Sequence, residues 1–369
     1  MNIDLSGPDI SQAEIDAVSE VLRSGRLSLG PAVSRFEEAI ASYVGTKHAI
    51  AVSSGTCGLH LLVRAIGLQP GDEAITTPFS FVASSNCILY EGGKPVFVDM
   101  DPETWNIDAT AVEAAVTPRT KMLIPVNVFG QPADFDRISA IARKHKLRVI
   151  EDSCESLGAK YKGRMSGSLG DAGVFGFYPN KQITTGEGGM IVTNDDEIAR
   201  LCQSMRNQGR DTGMGWLSHE RLGYNYRLSD VNSAIGAVQM QRIGEILGKR
   251  SRVAEWYRTR LASEDRLSLQ KIEPDCSMSW FVFVVKLADR YSEEDRAAMI
   301  EKLRARGIGC SNYFAPIHLQ AFYKRQFGYK PGDFPVCERV AARTIALPFH
   351  NHLSESEVDK VCETVRSLL

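Results

Sequence analysis

Short apolar runs of three to five residues alternate with longer segments in which apolar residues recur every three or four positions. The runs predict β-strands, and the periodic segments predict amphipathic α-helices. The predicted strands are 48–52, 73–76, 95–98, 122–126 and 148–150, and the helices between them are 58–65, 83–90, 109–115 and 135–145. This alternation is typical of an α/β fold with a mainly parallel sheet and helices on both faces. Ligands of such folds bind at the carboxyl ends of the strands.

The alternation changes near residue 250, after a long helix predicted at 231–258. The remainder has fewer strand-like runs, with one at 280–287 and a helix at 293–306. A chain of 369 residues is long enough for two domains. We therefore predict a large α/β domain over 1–248 and a smaller α+β domain over 249–369.

The stretch 171–194 places one lysine between two predicted strands. An apolar strand at 174–177 leads to Lys181, and a glycine-rich loop at 184–189 precedes a strand at 190–193. A lysine must lose its proton to act as a nucleophile or base near neutral pH, and apolar walls favour that neutral form. Glycines let the backbone approach a bound group closely. The pattern fits a catalytic lysine, and it also fits a surface lysine in a hairpin turn.

Two other strand ends carry candidate binding groups. The strand at 48–52 turns through Ser53-Ser-Gly-Thr-Cys57 into a helix. A helix N-terminus with small side chains offers backbone N–H groups to an anion, although the same residues could simply cap the helix. The strand at 148–150 ends in Glu151 and Asp152, where a carboxylate could hold a cationic group or cap a helix.

Composition excludes several classes of function. The net charge of −2 favours neither nucleic acid nor a membrane surface, and no apolar run reaches the ~20 residues of a membrane span. The eight cysteines form no Cys-x-x-Cys pair and the seven histidines form no His-x-x-x-His pair, so we expect neither disulfides nor a metal site. The first residues lack the basic and apolar regions of a signal peptide. We therefore expect a cytoplasmic protein.

Six motifs occur together in order, and their combination carries a resemblance to a known family. They are Ser53-Ser-Gly-Thr56, Val126-Asn-Val-Phe-Gly-Gln-Pro-Ala-Asp134, Glu151-Asp152, Phe175-Gly-Phe-Tyr-Pro-Asn-Lys181, Gly186-Glu-Gly-Gly189 and Gly223-Tyr-Asn-Tyr-Arg227. Over nearly its whole length the chain resembles the nucleotide-sugar aminotransferases of the DegT/DnrJ/EryC1/StrS family. The resemblance implies the cofactor pyridoxal 5'-phosphate (PLP), the aspartate-aminotransferase-like fold type I of PLP-dependent transferases, and a homodimer with shared active sites.

The resemblance also implies a role for individual residues. Lys181 would bind the cofactor aldehyde covalently and later move a proton, and Asp152 would pair with the pyridinium nitrogen so that the ring remains an electron sink. Phe81 would stack on the ring, and Asn225 of the partner subunit would reach the phosphate. The implied cofactor contacts are Ser54, Gly55, Thr56, Cys57, Phe81, Asp152, Glu155, Gly176, Lys181, Asn225 and Arg227. The implied substrate contacts are Arg26, Tyr178, Glu187 and His318, with Arg206 and Arg210 as further candidates for a diphosphate.

Two positions vary from the family pattern. Many members carry serine at 176, where this chain has Gly176, so a phosphate contact is either lost or supplied by another donor. Many carry glutamine or histidine at 155, where this chain has Glu155. Glu155 and the run 182–189 look most like the subgroup that aminates a 4-keto-6-deoxy sugar, as perosamine synthases do. The implied reaction moves an amino group from L-glutamate to a nucleotide-linked 4-keto-6-deoxyhexose, in amino-sugar or surface-polysaccharide biosynthesis.

Four alternatives compete with this function. A 3-keto sugar or cyclitol aminotransferase would belong to the same family. A related sugar dehydratase would carry histidine in place of Lys181. A Rossmann oxidoreductase would need Gly-x-Gly-x-x-Gly after an early strand, which 53–58 does not match. A non-catalytic regulator would be favoured by a degraded site, but both Lys181 and Asp152 are present.

Overall fold

The computed structural model describes residues 2–211, 213, 215 and 217–369. The helices are α1 (Gln12–Ser24), α2 (Pro31–Val44), α3 (Gly55–Ile66), α4 (Ala83–Tyr90), α5 (Phe135–His145), α6 (Asp196–Arg206), α7 (Asp230–Gln241), α8 (Ile243–Leu261), α9 (Glu293–Ala305), α10 (Ala321–Phe327), α11 (Pro335–Ala341) and α12 (Glu355–Leu368). The strands are β1 (His48–Val52), β2 (Glu73–Thr76), β3 (Lys94–Phe97), β4 (Thr120–Ile124), β5 (Arg148–Asp152), β6 (Lys160–Tyr161), β7 (Arg164–Met165), β8 (Ala172–Gly176), β9 (Gly189–Thr193), β10 (Leu267–Leu269), β11 (Cys276–Ser277), β12 (Phe283–Leu287) and β13 (Thr344–Leu347). Within the described ranges, none of these helices has the length and apolar character needed to cross a membrane.

A seven-stranded sheet in the order β1-β9-β8-β5-β4-β2-β3 forms the centre of the larger part. The strands from β8 to β3 pair in parallel, and β9 runs antiparallel to both of its neighbours. All residues of β2 and β9 are buried, as expected for strands covered on both faces. The predicted α/β fold with a mainly parallel sheet is confirmed.

Helices pack on both faces of this sheet. Successive side chains of a strand point to opposite faces, so Val174 enters one core and its neighbour Phe175 enters another. The first core is completed by α3, α4 and α6, and the second by α2 and α7. Both cores include residues of β1 and β8, and the first also includes Ile150 of β5. This packing fixes the positions of the carboxyl ends of these three strands.

Two predicted helices differ from the structure. Residues 109–115 form turns and a short 3₁₀ segment (Glu113–Ala115), because Asp108 accepts hydrogen bonds from the N–H and the hydroxyl of Thr110 and so holds a turn. The helix predicted at 231–258 is interrupted at Arg242, which separates α7 from α8. The Arg242 side chain is held there by two buried carboxylates, those of Asp9 and Glu14.

A separate core lies in the C-terminal part. The three-stranded sheet β10-β12-β13 packs with α8, α9 and α12. The predicted boundary after residue 248 falls inside α8, whose Ile246 packs in the larger part and whose Tyr257 packs in the smaller. Ile3, which the prediction assigned to the first domain, packs in the C-terminal core and pairs with Ile308. The division into two domains therefore stays a prediction, and one helix belongs to both cores.

A buried ionic network joins the N-terminal segment to both parts. Asp9 accepts from Arg242 at 2.8 Å, from Lys249 at 3.0 Å and from the Asn351 amide at 2.9 Å. Glu14 accepts from Arg242 at 2.8 Å. Because these residues come from the N-terminal segment, from α1, from the α7–α8 junction and from the C-terminal part, the network ties elements that are distant in the sequence.

Candidate active site

A cavity of about 510 Å³ opens at the carboxyl ends of β1, β5 and β8. It lies where ligands of open parallel sheets bind. Ten of the predicted site residues line it: Ser54, Gly55, Thr56, Phe81, Asp152, Glu155, Gly176, Tyr178, Lys181 and Glu187. Residues that the sequence separates by more than a hundred positions are thus brought to one place.

Lys181 lies in a tight turn after β8. Its N–H donates to the Tyr178 carbonyl at 2.9 Å, and Phe177 exchanges hydrogen bonds with Gly188 and Thr185, which fixes the loop between β8 and β9. The Lys181 side chain is only 15 % exposed. This burial excludes the alternative of a surface lysine in a hairpin turn.

Two side chains contact the Lys181 amine. Nζ lies 3.7 Å from Glu155 Oε1 and 3.8 Å from the centre of the Phe281 ring. Glu155 is buried, and Phe129 N–H donates to its other oxygen at 2.9 Å. Burial raises the pKa of the Glu155 carboxyl, while the charge of Lys181 acts in the opposite direction. The carboxylate and the aromatic face together direct the amine into the cavity.

Asp152 is the last residue of β5 and lies at the floor of the cavity. Oδ2 accepts from the Ser84 hydroxyl at 2.7 Å, and Oδ1 accepts from Cys154 N–H at 3.2 Å. No helix begins directly after Asp152 in the described chain, so it does not serve as a helix cap. Its two hydrogen bonds hold a carboxylate in one orientation, ready to bind a cationic ring nitrogen.

The start of α3 forms another wall of the cavity, beside the Lys181 turn and Asp152. Ser54 is the N-cap residue, and its hydroxyl accepts from Cys57 N–H at 3.1 Å. The helix N-terminus presents its positive dipole end to the cavity beside Gly55 and Thr56. The segment caps a helix, as one interpretation predicted, and it also lines the cavity, so the predicted anion site stays a prediction. Cys57 does not line the cavity, so its predicted phosphate contact stays a prediction.

These residues fit PLP. The site offers an amine, a carboxylate, a helix N-terminus and an aromatic side chain, Phe81, which is 62 % exposed. Asn180 Oδ1 is buried at the cavity wall and has no hydrogen-bond partner among the described residues, so it is available to a bound group. Gly189 lets β9 approach the start of α3 closely, because a Cβ at this position would lie 2.6 Å from the main chain of Ser54.

Besides Cys57, five predicted residues with exposed or partly exposed side chains lie away from this cavity. Asn225 is exposed and forms a bridge with Asn207, whose side chain accepts from Arg227 at 3.0 Å. Arg227, Arg206 and Arg210 line a separate cavity of about 240 Å³. Arg26 is exposed at a third cavity.

His318 is the clearest difference from the predicted site. It is fully buried, its Nε2 lies 2.9 Å from Glu338 Oε1, and its ring packs against Phe334. This placement does not support the predicted substrate contact, because the ring is enclosed by the protein. The structural role that is common for a lone histidine fits better.

Several residues of the cavity were not predicted. Phe281, Tyr313 and Phe314 come from the C-terminal part and give the cavity an aromatic wall. Tyr313 also accepts a hydrogen bond from the Asn180 amide at 3.4 Å. The only sequence signal was the adjacent aromatic pair 313–314 in a loop, which does not by itself indicate a site.

Comparison with known proteins agrees with the fold and the site. The model of the DegT/DnrJ/EryC1/StrS aminotransferase family matches residues 8–366. GDP-perosamine synthase of Caulobacter vibrioides is 39 % identical, and the match covers 100 % of this chain and 98 % of that protein.

Two solved structures are similar along the whole chain. Helicobacter pylori PseC, an aminotransferase of pseudoaminic acid biosynthesis, has a TM-score of 0.95 at 29 % identity and covers 100 % of this chain and 99 % of its own. The PLP form of the putative sugar aminotransferase Spr1654 from Streptococcus pneumoniae also has a TM-score of 0.95 at 29 % identity, covering 100 % and 98 %.

The fold and the lysine–aspartate cavity define a PLP-dependent aminotransferase. The chain belongs to the DegT/DnrJ/EryC1/StrS aminotransferase family. It is a sugar aminotransferase of amino-sugar or polysaccharide biosynthesis, and the predicted family, cofactor and enzyme class are confirmed.

Proposed function

We propose that this protein transfers an amino group from L-glutamate to a nucleotide-linked 4-keto-6-deoxyhexose. One observation carries the proposal: Lys181, Asp152 and the N-terminus of α3 line a single cavity. The sugar assignment is supported by Glu155 beside the Lys181 amine and by the similarity to GDP-perosamine synthase. A 3-keto sugar or a cyclitol ketone remains the alternative acceptor.

The residues of the chain divide the work of the reaction. PLP supplies an electron sink that stabilises negative charge at the substrate carbon. Asp152, oriented by Ser84, would hold the ring nitrogen in its protonated form, and the start of α3 would hold the phosphate. Lys181 Nζ would carry the proton between carbons, and Glu155 at 3.7 Å would set the direction of the amine.

Aromatic side chains would exclude water from the reacting groups. Phe281, Tyr313 and Phe314 close one side of the cavity, whereas Phe81 and Tyr178 at its mouth are 62 % and 54 % exposed. PLP would cover Phe81, and the exposed ring of Tyr178 is compatible with a partner subunit at the mouth of the cavity. We propose a homodimer in which Asn225 of the partner subunit, with Arg227 as a second candidate, reaches the cofactor phosphate.

The nucleotide diphosphate needs cationic or amide donors near the mouth of the cavity. Arg206, Arg210 and Arg227 line one cavity, where Arg206 is paired with Glu37 and Asp211 is also present. In a dimer these arginines could serve the neighbouring site. Arg26 is a further candidate, since it is exposed. We also propose a cytoplasmic location, because all eight cysteines are free thiols, as is usual in reducing compartments.

A spectroscopic titration tests the proposal. The enzyme is loaded with pyridoxamine phosphate, and GDP-, UDP- and dTDP-linked 3-keto and 4-keto sugars are added separately. We expect the absorbance of lysine-bound PLP to return only with a 4-keto-6-deoxy sugar, and L-glutamate to reverse the change. Turnover confined to 3-keto sugars or to a cyclitol ketone would overturn the sugar assignment. Lys181→Ala is the control, and it should show no return with any acceptor.

A further inference from the structure

Arg250 on α8 is a buried charge whose hydrogen bonds go only to neutral oxygens. It is 3 % exposed. In the described part of the chain its guanidinium donates to the carbonyls of Trp280 and Phe281 at 2.7 Å, and to Asn180 O and Asn351 Oδ1 at 3.4 Å. Burial lowers the pKa of Arg250 to about 10, with Asp9 acting in the opposite direction. A buried charge without a carboxylate partner is costly, so packing alone would favour an apolar side chain here.

The carbonyls that Arg250 binds belong to the two segments that enclose the Lys181 side chain. Asn180 directly precedes Lys181 in its turn, and the ring of Phe281 lies 3.8 Å from Lys181 Nζ. One guanidinium therefore connects the backbone that carries the amine to the backbone that carries the aromatic wall against it. A lysine could not replace it fully, because only the planar guanidinium has donors in several fixed directions.

The neighbouring residue Gln182 strengthens the same connection from the other side. Its amide donates to Ser279 O at 2.9 Å and to the main-chain oxygen of Glu155 at 2.5 Å. Two side chains therefore hold segment 279–281: Gln182 binds the carbonyl of Ser279, and Arg250 binds those of Trp280 and Phe281. Arg250 itself does not line the cavity and touches none of the groups that would react.

We propose that Arg250 is a positioning residue for Lys181. By fixing the Asn180 and Phe281 carbonyls, it sets the distance between the amine and the Phe281 ring and keeps the amine directed into the cavity. The inference rests on the role of Lys181 in the proposed function. It adds a residue that lies outside the cavity. Its replacement should slow the reaction of the Lys181 amine while the protein still folds.

The test follows the attachment of PLP to the cofactor-free, full-length protein. The rise in visible absorbance gives the rate, and borohydride reduction followed by mass spectrometry locates the label. We expect Arg250→Met to slow attachment by about tenfold or more, because small displacements of a reacting group have large effects on rate. Arg250→Lys should restore part of the rate. Phe281→Leu should slow attachment too, and the double variant should be no slower than Arg250→Met if the two act as one unit.

The matched control is Arg296→Met. Arg296 on α9 is also buried and lies far along the chain from Lys181. It donates to the main-chain carbonyl of Ala342 at 3.3 Å and, unlike Arg250, also to a carboxylate, that of Glu293, at 2.8 Å. It should lose a similar amount of thermal stability and keep its attachment rate within about twofold.

Two results would overturn the inference: an Arg250→Met rate within about twofold of wild type, or equal slowing in Arg296→Met at equal loss of Tm. Should Arg250→Met fail to fold, Arg250→Lys is judged by the same rate criterion. A wild-type label on another lysine would overturn the proposed role of Lys181 itself, whereas a label on Lys181 with an unchanged rate in the Arg250 variants overturns only this inference.

Discussion

Among single residues, Gly189 on β9 is important because it has no side chain. That absence lets the main chain of Ser54 and Gly55, at the start of α3, pass close to β9. A Cβ at this position would lie 2.6 Å from the carbonyl carbon and oxygen of Ser54 and 2.7 Å from the nitrogen of Gly55. These are backbone atoms, which cannot swing aside as the end of a flexible side chain can. A side chain at 189 would therefore displace the residues that cap α3 and line the cavity.

We predict that Gly189→Ala weakens PLP binding by about tenfold or more, since a small shift of the helix start misplaces its N–H groups. An absorbance titration measures the dissociation constant. Gly244→Ala on α8 is the control, because its added Cβ meets nothing within 4 Å. That variant should bind PLP normally and gain up to about 1 kcal/mol of stability from helix propensity. Unchanged affinity in Gly189→Ala would contradict the prediction.

At this scale the sequence was informative where a residue's role depends on its immediate neighbours. Lys181 and Asp152 follow apolar strands, so their place at one edge of a parallel sheet could be predicted. Phe281 could not, because its position depends on how the C-terminal part packs on the sheet. The burial of His318 is likewise a property of the fold, since the side chains that enclose it come from other segments.

At the scale of elements, two buried carboxylates, those of Asp9 and Glu14, bind Arg242 at the junction of α7 and α8. Burial and hydrogen bonding shift the pKa values of these carboxylates in opposite directions. Burial acts to raise the pKa of Glu14, but hydrogen bonds from Ser11, Arg242 and Gln239 outweigh it and lower that pKa to about 2. For Asp9, burial is likewise outweighed by Asn351, Arg242 and Lys249, which hold the pKa well below its usual range. A carboxylate with a lowered pKa stabilises the fold above its unfolded pKa of roughly 4, and this stabilisation is lost as the pH falls towards the folded pKa.

We predict that Arg242→Met lowers the free energy of unfolding by about 3–5 kcal/mol at pH 7, because it removes the cation that two buried carboxylates share. The difference from wild type should shrink as the pH falls below about 4, where protonation removes the charges that need Arg242. Urea denaturation at several pH values measures both quantities.

The control for this experiment is an exposed ion pair. Lys47 and Asp196 form one with side chains 58 % and 68 % exposed. Lys47→Met should cost no more than about 1 kcal/mol at any of these pH values. If the difference in free energy of unfolding between wild type and Arg242→Met does not change with pH, the variant loses stability through packing and not through charge. That result would contradict the prediction.

The same junction shows a limit of predicting helices from the hydrophobic pattern of the sequence. The strands of the large sheet could be predicted because they are short, apolar and buried, as β9 is throughout. The interruption at Arg242 could not, because the carboxylates that hold its side chain are more than two hundred positions away. The helix expected at 109–115 failed for a local reason, since the Asp108 side chain competes for the Thr110 N–H.

At the scale of the whole molecule, the proposed dimer makes a prediction about mixed subunits. If Asn225 serves the neighbouring site, Lys181→Ala and Asn225→Ala proteins should each be inactive alone. After subunit exchange, the hybrid dimer has one site free of both changes, so about half of the sites in each hybrid should work. Turnover of the mixture measures this recovery.

The control mixture combines Lys181→Ala with Asp152→Asn. Both changes lie in a subunit's own cavity, so every site of the hybrid carries one of them and activity should not return. No recovery in the Asn225 mixture despite demonstrated exchange would show that Asn225 acts within its own subunit. Recovery in the control would instead contradict the placement of Lys181 and Asp152 in one subunit's cavity.

The contacts of the N-terminal segment also bear on how the protein is synthesised. Asp9 binds Asn351, which follows it by 342 positions, and Ile3 pairs with Ile308. At the ribosome's rate of about 5–20 residues per second, Asp9 waits on the order of 20 to 70 s for its partner to be made. All strands of the large sheet lie between 48 and 193 and are available much earlier. Docking of the first residues is therefore a late event, and a nascent chain that stalls before Asn351 would leave the Asp9 carboxylate without the amide that helps to bury it.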